Sequence, residues 1–447
     1  MKVAFFTLGC KVNQYETDLM MKQFSDCGYQ IIDEKQGIAD IYVVNSCSVT
    51  NLSTRKTRQL LSKAKKTGSI VVLVGCYAQE IMGNNKVEIK NVDLILGNEE
   101  KKDIIKYINK YIENKKDRVE RNINEKSEDN NLKLKVVTDI SKVKTYIQKE
   151  SLEKGINVRE SIKIEDGCDN FCSYCIIPYV RGRIRSRNLE DIKKEIINLV
   201  KSGVGEVVLV GIEIASYGKD LNKDVNLIDV IEEISKIEGL KRIRLGSIEP
   251  RILTKENIIR LSKIKNLCNH FHISVQSIDN EVLKRMNRKY TREYLFETID
   301  LIRKYIEDVS FTCDIIVGFP GETEQEFSNT LEGVEKIGFY EIHVFKYSKR
   351  KWTIAANMEN QVDGNVSNYR SEILIALGKE LKEKYLNKYI GKKMYVLFES
   401  FKDGYLYGYT SNYIKIKVKG DKELWGSHIK IELASIEKDI ILGNIYQ

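Results

Sequence analysis

The stretch Glu165-Asp-Gly-Cys-Asp-Asn-Phe-Cys-Ser-Tyr-Cys-Ile-Ile-Pro178 places Cys168, Cys172 and Cys175 in a C-x3-C-x2-C spacing. Thiolates this close together are typical ligands of iron–sulfur clusters and of zinc, because soft sulfur donors select these metals. A closed [4Fe–4S] site takes four cysteines, so three leave one iron open, as catalytic metal sites do. The alternatives are a zinc knuckle with a distant fourth ligand and three unrelated core cysteines.

A second set of three cysteines lies in the first 113 residues, where apolar strands alternate with helical patterns. The predicted strands are Lys2–Leu8, Ile41–Val44 and Ser69–Val74. They run into Cys10, Cys47 and Cys76, and the carboxyl ends of parallel strands meet at one edge of a sheet, where ligands bind. We therefore predict an open α/β domain over residues 1–113 with a second three-cysteine site. The alternative is that buried cysteines simply pack at strand ends.

The composition predicts a cytoplasmic protein with reduced thiols. The 447 residues contain no apolar run of about 18, so we expect no membrane helix. Nine cysteines without an export signal favour metal binding over disulfides, and we expect Cys27, Cys268 and Cys313 to be core residues. The net charge of 73 − 64 = +9 suits an ordinary soluble enzyme as well as a polyanion binder.

Beyond a polar stretch at residues 114–153, predicted to be a linker, strand and helix patterns repeat over residues 154–384. Six such units predict a partial (β/α)6 barrel with its chemistry at the carboxyl ends of the strands. Cys168 follows the first of these strands. The predicted strands are Ser161–Glu165, Glu206–Val210, Arg242–Leu245, His272–Val275, Phe311–Val317 and Glu341–Phe345.

Polar residues after the later strands are candidates for a cofactor pocket, namely Glu213, Glu249, Gln276 and Ser277. A run of four alternating arginines follows the cysteine motif, and residues two apart on an extended chain point the same way. This run either contacts an RNA backbone or forms a solvated, acid-paired loop. The four are Arg181, Arg183, Arg185 and Arg187.

Residues 385–447 contain five short strand patterns separated by glycine turns, which predict a small antiparallel β-barrel similar to those that bind oligonucleotides. Aromatic and basic groups together suit bases and phosphates, although tyrosines that only pack at the barrel rim are the alternative. The groups concerned are Tyr405, Tyr407, Tyr409, Tyr413, Lys415, Lys417 and Lys419.

With an aromatic residue before its second and third cysteines, the motif at Cys168, Cys172 and Cys175 resembles that of the radical S-adenosylmethionine superfamily. The resemblance implies a [4Fe–4S] cluster that chelates S-adenosylmethionine, whose reductive cleavage releases a 5′-deoxyadenosyl radical. The three-part arrangement resembles the methylthiotransferase family over essentially the whole chain. That resemblance implies a second [4Fe–4S] cluster on the three N-terminal cysteines and a TRAM-like, RNA-binding C-terminal barrel.

The motif Thr7-Leu-Gly-Cys-Lys-Val-Asn-Gln-Tyr-Glu-Thr17 is similar to the branch, often called MtaB, that acts on N6-threonylcarbamoyladenosine at position 37 of tRNA. The isopentenyladenosine branch usually has Gly-Cys-Gln-Met-Asn, and the ribosomal protein S12 branch Gly-Cys-x-Lys-Asn. The chain departs from its relatives at Ser274 and Ile278, where proline and glycine are usual, at Lys346, where proline is usual, and at Lys351-Trp-Thr-Ile354.

The family resemblance implies a reaction with two S-adenosylmethionine molecules. One methylates a sulfur at the N-terminal cluster, and the radical from the other removes hydrogen from C2 of adenine 37, where the methylthio group then adds. The expected partners are the tRNA anticodon loop and an electron donor such as flavodoxin or ferredoxin, with no membrane and no DNA. The rivals are the same chemistry on isopentenyladenosine tRNA or protein S12, and a non-catalytic metal-containing RNA-binding protein.

Overall fold

The computed structural model describes residues 1–33, 37–82, 89–122, 133–149, 151–152, 157–221 and 224–446. Within those ranges, no helix is long and apolar enough to cross a membrane. The predicted order of an open α/β domain, a partial barrel and a small closed barrel is confirmed.

The N-terminal domain is a six-stranded parallel sheet covered by helices. Its strands β3 and β4 are almost continuously buried apolar runs, as expected for a sheet packed on both faces. Its elements are β1 (Lys2–Thr7), α1 (Lys11–Asp26), β2 (Gln30–Ile31), β3 (Ile41–Ser46), α2 (Asn51–Lys65), β4 (Ile70–Gly75), α3 (Cys76–Met82), β5 (Leu94–Leu96), α4 (Ile104–Asn122) and β6 (Leu134–Val136). The strand order is β2-β1-β3-β4-β5-β6.

Part of the predicted linker belongs to this domain. Helix α4 continues to Asn122, and β6 pairs with β5 as a sixth strand. Thr138 then donates hydrogen bonds to Glu100 from its backbone N–H, at 3.0 Å, and from its hydroxyl, at 2.5 Å. The alternation of Leu134 and Val136 is sufficient for an edge strand, because only one face of it must be apolar. Residues 123–132 of the predicted linker lie outside the described part of the chain.

The central unit contains all six predicted barrel strands, in two adjoining parallel sheets of orders β11-β10-β7 and β12-β13-β14-β15. Its strands are β7 (Arg159–Lys163), β8 (Glu165–Asp166), β9 (Arg185–Ser186), β10 (Glu206–Val210), β11 (Arg242–Leu245), β12 (Ser247–Ile248), β13 (His270–Gln276), β14 (Ser310–Val317) and β15 (Glu341–Lys346). Its helices are α5 (Ile177–Val180), α6 (Leu189–Lys201), α7 (Leu227–Ser235), α8 (Lys255–Ser262), α9 (Asn280–Arg285), α10 (Arg292–Tyr305), α11 (Glu324–Ile337) and α12 (Gly364–Asn387).

The two sheets meet at Gly246, which separates β11 from β12. A Cβ atom at Gly246 would lie 2.8 Å from the Leu209 carbonyl oxygen, and the Gly246 N–H donates to that oxygen at 2.8 Å. Glycine therefore permits the neighbouring strand to approach closely where the barrel wall bends.

The C-terminal unit is a closed five-stranded barrel of order β16-β17-β18-β20-β19. Four of its strand pairs are antiparallel, as predicted, and the parallel pair β18–β20 closes it. Inward positions such as Phe398, Leu406 and Ile416 are fully buried. The strands are β16 (Lys393–Lys402), β17 (Tyr405–Thr410), β18 (Lys415–Lys419), β19 (His428–Glu437) and β20 (Ile440–Ile445).

A buried ionic cluster joins the N-terminal domain to the central barrel. Glu16 of α1 accepts from Lys101 Nζ at 2.5 Å, from Lys163 Nζ at 2.7 Å and from Arg181 Nη1 at 2.5 Å. Burial alone would raise the pKa of Glu16, but these three cations outweigh it and hold that pKa well below its ordinary value. Because a lost partner would leave a buried charge uncompensated, this cluster fixes how the two units sit against each other.

Arginines from β11 hold the C-terminal barrel at the base of the central one. Arg242 donates to the Tyr409 and Tyr395 carbonyl oxygens at 2.7 and 2.8 Å. Arg244 donates to the Ser411 carbonyl at 3.0 Å and lies over the Tyr413 ring at 4.8 Å from its centroid. Tyr409 and Tyr413 therefore pack at the domain junction, as the rim-packing alternative expects.

Candidate active site

The first cysteine loop wraps around one point because its backbone takes two left-handed turns. Gly167 has φ +81°, and a Cβ atom there would lie 2.0 Å from the Arg183 carbonyl oxygen, so only glycine fits. Phe171 has φ +45°. The Asn170 N–H lies 3.4 Å from Cys168 Sγ, an N–H···S contact of the kind that tunes cluster sulfurs.

The three thiols of this loop face one another in an enclosed space. Burial raises the pKa of Cys168 and, to about 12, that of Cys175, and Cys172 interacts electrostatically with both. Arg288 Nη1 lies 3.7 Å from Cys172 Sγ, and its Nη2 donates to the Ser274 carbonyl at 2.6 Å. A thiol whose pKa is raised by burial, as for Cys168 and Cys175, favours the neutral form, and a bound metal cluster or an adjacent cation converts it into a thiolate ligand.

The second cysteine set is assembled from three strand ends, as the sequence predicts. Cys10 is the N-cap of α1, Cys47 follows β3, and Cys76 begins α3 directly after β4. Burial raises the pKa of Cys47 to about 11, and both Cys76 and Cys10 act on it. A Cβ atom at Gly9 would lie 2.9 Å from Cys47 Sγ, so the glycine keeps room beside this sulfur.

Asn13 and Arg181 hold the second set in place. The Asn13 amide donates to the Leu8 carbonyl at 2.7 Å and to the Ser46 carbonyl at 3.0 Å, which ties the first two cysteine loops together. Its oxygen accepts from Arg181 Nη2 at 2.6 Å, while Arg181 Nε donates to Cys76 Sγ at 3.2 Å. Arg181 is fully buried, so its guanidinium places a positive charge directly beside the second cysteine set.

Both cysteine sets fit a [4Fe–4S] cluster with one open iron. Each offers three sulfurs, glycine or left-handed backbone that leaves space beside them, and polar donors aimed at a sulfur. Within the described ranges, no histidine forms a hydrogen bond or a possible metal-binding group with the cysteines of either set. A zinc knuckle, which needs a fourth ligand, is therefore the poorer fit.

The two sets lie on facing edges of adjacent domains. Cys76 packs with Ile176, which directly follows Cys175, and with Val180 at the end of α5. The Asn98 amide of the N-terminal domain donates to the Val180 carbonyl at 2.7 Å.

A cavity of about 440 Å³ begins at Cys10 and extends into the barrel. All three units contribute to its wall: Cys10 and Lys11 from the N-terminal domain, Gly211 and Ser247 at the carboxyl ends of central strands, and Tyr413 from the C-terminal barrel. Its size is that of a small-molecule site.

The polar side chains of this cavity were not predicted from the sequence. His272 lies 3.2 Å from Asp314 through Nε2 and 2.8 Å from the Thr312 hydroxyl through Nδ1. His343 on the next strand stacks near His272, with ring centroids 5.5 Å apart. The ligating atoms of His272, Asp314 and His343 lie within 4.8 Å of one another, so they suit a polar ligand or a metal ion. The available signal was the alternation of polar residues along neighbouring strands, which places them on one face.

Of the four predicted cofactor-pocket residues, Glu213 contacts the first cysteine loop, and Glu249 interacts electrostatically with Glu213. Glu213 accepts from the Asn170 amide at 3.3 Å, and burial together with Glu249 raises its pKa to about 7. Gln276 has φ +68° at a register shift of β13. Ser277 is buried, with its hydroxyl 3.2 Å from that of Thr330 on α11.

The four alternating arginines do not present one cationic face. The prediction that they contact an RNA backbone is therefore wrong for three of them. Arg181, Arg185 and Arg187 are almost fully buried in ion pairs with carboxylates. Arg183 alone of the four is exposed; it lies 3.4 Å from Asp169. The loop turns at Gly182 (φ +75°), so the residues do not form the extended run that the prediction assumed.

Of the cysteines predicted to be in the core, Cys268 and Cys313 are buried, whereas Cys27 is exposed at the end of α1.

The departures from the family motifs are accommodated locally. Ile278 packs against α11 at Gly333, where a Cβ atom would lie 2.4 Å from it. Ser274 provides the carbonyl that binds Arg288, and Lys346 donates to Asn368 at 2.6 Å.

Comparison with known proteins agrees with this geometry. Residues 162–334 match the radical SAM superfamily, and residues 2–97 match the uncharacterized protein family UPF0004. A Bacillus subtilis protein named threonylcarbamoyladenosine tRNA methylthiotransferase MtaB is 39% identical, over 96% of this chain and 93% of its own. A Thermotoga maritima protein of the same name is 37% identical, over 98% and 95%.

A Lachnoclostridium phytofermentans protein named tRNA-2-methylthio-N(6)-dimethylallyladenosine synthase is 35% identical, over 99% of this chain and 94% of its own. Among solved structures, the radical S-adenosylmethionine methyltransferase TsrM from Kitasatospora setae aligns with a TM-score of 0.52 and 13% identity, over 79% of this chain and 77% of that one, which shows a shared fold. The chain belongs to the radical S-adenosylmethionine tRNA methylthiotransferases, enzymes that transfer sulfur to tRNA and use S-adenosylmethionine with a [4Fe–4S] cluster.

Proposed function

We propose that the protein converts N6-threonylcarbamoyladenosine at position 37 of tRNA to its 2-methylthio derivative, with two [4Fe–4S] clusters and two S-adenosylmethionine molecules. The observation that supports the proposal is that two three-cysteine sets lie on the two sides of one contact between the N-terminal domain and the central barrel. The MtaB names of two relatives that match almost end to end support this substrate.

Cys168, Cys172 and Cys175 would hold the cluster that cleaves S-adenosylmethionine, and Cys10, Cys47 and Cys76 the cluster that carries the sulfur. Such clusters supply electron transfer and sulfur chemistry that side chains lack. The side chains of the protein would bind and orient the substrates and shield the reaction from water. Arg181 and Arg288 would place positive charge beside the second and the first cysteine set, respectively.

Glu213, Glu249 and Gln276 would line the S-adenosylmethionine pocket, because they follow three successive barrel strands beside the first cysteine set. Glu213 interacts electrostatically with Cys168 and Cys175, so its carboxylate would lie beside a cluster that these cysteines hold. An ionised carboxylate there suits the cationic groups of S-adenosylmethionine. The part of Ser277 would be limited to shaping the turn after β13, since its hydroxyl faces α11.

The TRAM-like barrel would bind the tRNA. On β17 and β18, Tyr405 pairs with Lys419 and Tyr407 with Lys417, and the residues between them on each strand are buried. The outer face of these strands thus carries alternating rings and ammonium groups, which suits stacking on bases and contact with phosphates. Flavodoxin or ferredoxin would supply electrons, in a cytoplasmic enzyme.

The test is anaerobic turnover with an anticodon stem-loop that carries threonylcarbamoyladenosine. Two [4Fe–4S] clusters predict about eight irons per chain. Cys172→Ala should abolish 5′-deoxyadenosine formation, whereas Cys47→Ala should retain it and lose methylthio insertion. Zinc in place of iron would contradict the enzyme mechanism. Turnover of only the isopentenyladenosine stem-loop, or of only protein S12, would show that the proposed substrate is wrong and that the molecule turned over is the substrate.

A further inference from the structure

Lys11 lines the shared cavity, and among the described residues no carboxylate forms an ion pair with its ammonium group. Lys11 directly follows the cluster cysteine Cys10 and lines the cavity. In the described part of the chain it makes no hydrogen bond, ion pair or cation–π contact. Lys11 is exposed where it lines the cavity, so its ammonium group is accessible to an anionic ligand.

The charged groups that surround Lys11 make this position more positive. The groups that act on it electrostatically are Arg159 and Arg244, which repel it, and Glu206 and Glu399, which attract it. Both carboxylates are already engaged: Glu206 lies 2.6 Å from Arg244, and Glu399 lies 3.1 Å from Arg159.

A third arginine, Arg242, lies 3.7 Å from Glu206. Four cations, counting Lys11, therefore meet two carboxylates, a local excess of 4 − 2 = +2. Of the two acids in the cavity wall, Asp314 contacts His272 at 3.2 Å and Glu341 pairs with Lys382 at 3.5 Å. The excess of positive charge therefore lies at the Lys11 end of the cavity, where an anion would offset it.

We propose that Lys11 binds the carboxylate of the threonylcarbamoyl arm and so selects this substrate over uncharged N6 substituents. The proposal rests on the proposed function. A carboxylate is the only anionic group of the modified base, and the arm also carries a hydroxyl and a urea-like linkage that can meet the polar wall at His343 and Thr312.

The test compares two anticodon stem-loops with reconstituted, anaerobic enzyme: one carries threonylcarbamoyladenosine and the other its methyl ester, which removes the charge. Wild type should prefer the acid. In Lys11→Gln the kcat/KM for the acid should fall on the order of 10- to 100-fold, the range of a charged hydrogen bond, and the preference for the acid should collapse toward one. Lys11→Arg should keep the preference.

Iron content is measured for each variant, so that loss of the adjacent cluster is not mistaken for loss of recognition. Lys255→Gln, an exposed lysine on α8, is the matched control and should keep the wild-type preference. An unchanged acid-to-ester ratio in iron-replete Lys11→Gln overturns the inference and leaves the proposed function standing. Failure of the wild type to act on the acid substrate overturns the proposed function itself.

Discussion

Replacing Glu16 by glutamine should loosen the contact between the N-terminal domain and the barrel. Glu16 is held by Lys101, Lys163 and Arg181, whose side chains are all at least nine-tenths buried. In Glu16→Gln, Asp166 still pairs with Lys163 at 2.7 Å and with Arg181 at 3.3 Å, whereas Lys101 keeps no carboxylate partner in the described part of the chain. The shape of the side chain is preserved, so the charge is what the substitution removes.

The expected loss follows from the burial. Removing one partner from a buried ion pair costs about 3–5 kcal/mol, and Asp166 together with the retained amide oxygen places this case at the lower end, about 3 kcal/mol. At about 2 °C per kcal/mol for a large domain, the first unfolding midpoint should fall by about 6 °C. The midpoint is the quantity to compare, because a chain of several domains need not unfold in one step.

The assay is thermal unfolding of the anaerobic protein, with Glu190→Gln as the control. Glu190 is 75% exposed and lies 3.3 Å from Lys193, so its loss should cost less than about 1 kcal/mol. A midpoint for Glu16→Gln within the spread of the control would refute the role of the buried cluster.

The remaining predictions concern pH and the two sites. The gap between wild type and Glu16→Gln should be complete above about pH 5 and shrink below pH 4.5, because the folded pKa of Glu16 is depressed and acid protonates its unfolded form first. Gly9→Ala should lower iron from about eight to about four atoms per chain, because its Cβ would lie 2.7 Å from Cys47 Cβ at φ +100°. The KM for S-adenosylmethionine should fall as pH rises through about 7, where Glu213 ionises, and Glu213→Gln should remove that dependence.

Each of these outcomes has a contrary result. A stability gap that persists unchanged to pH 3 would mean that the charge of Glu16 is not its source. Gly68→Ala, at φ +79° with nothing near its Cβ, should keep its iron; equal losses in both glycine variants would point to general misfolding. A KM profile that stays the same in Glu213→Gln would assign the titration to another group.

The cysteine sites were predictable because their placement depends on topology alone. Strands that each run into a cysteine bring Cys10, Cys47 and Cys76 together once the sheet is parallel, and the sequence pattern indicates such a sheet. The short C-x3-C-x2-C spacing likewise fixes a local loop. Neither inference required knowledge of how the domains dock.

What the sequence did not reveal depends on contacts between distant parts of the chain. Arg181 turns inward because Glu16 and Cys76 from another domain meet it, which no local periodicity encodes. Lys11 is a candidate for substrate binding only because the fold brings it into the same cavity wall as residues of the barrel strands. Ile278 replaces a usual glycine because Gly333 on α11 provides the space, a compensation that is visible only after folding.

The most direct test of the central claim is nucleoside mass spectrometry of total tRNA from cells with and without this protein. The proposed activity predicts that 2-methylthio-N6-threonylcarbamoyladenosine disappears when the protein is removed, while N6-threonylcarbamoyladenosine accumulates. An unchanged level of the methylthio nucleoside, in cells that produce it by no other enzyme, would contradict the substrate assignment.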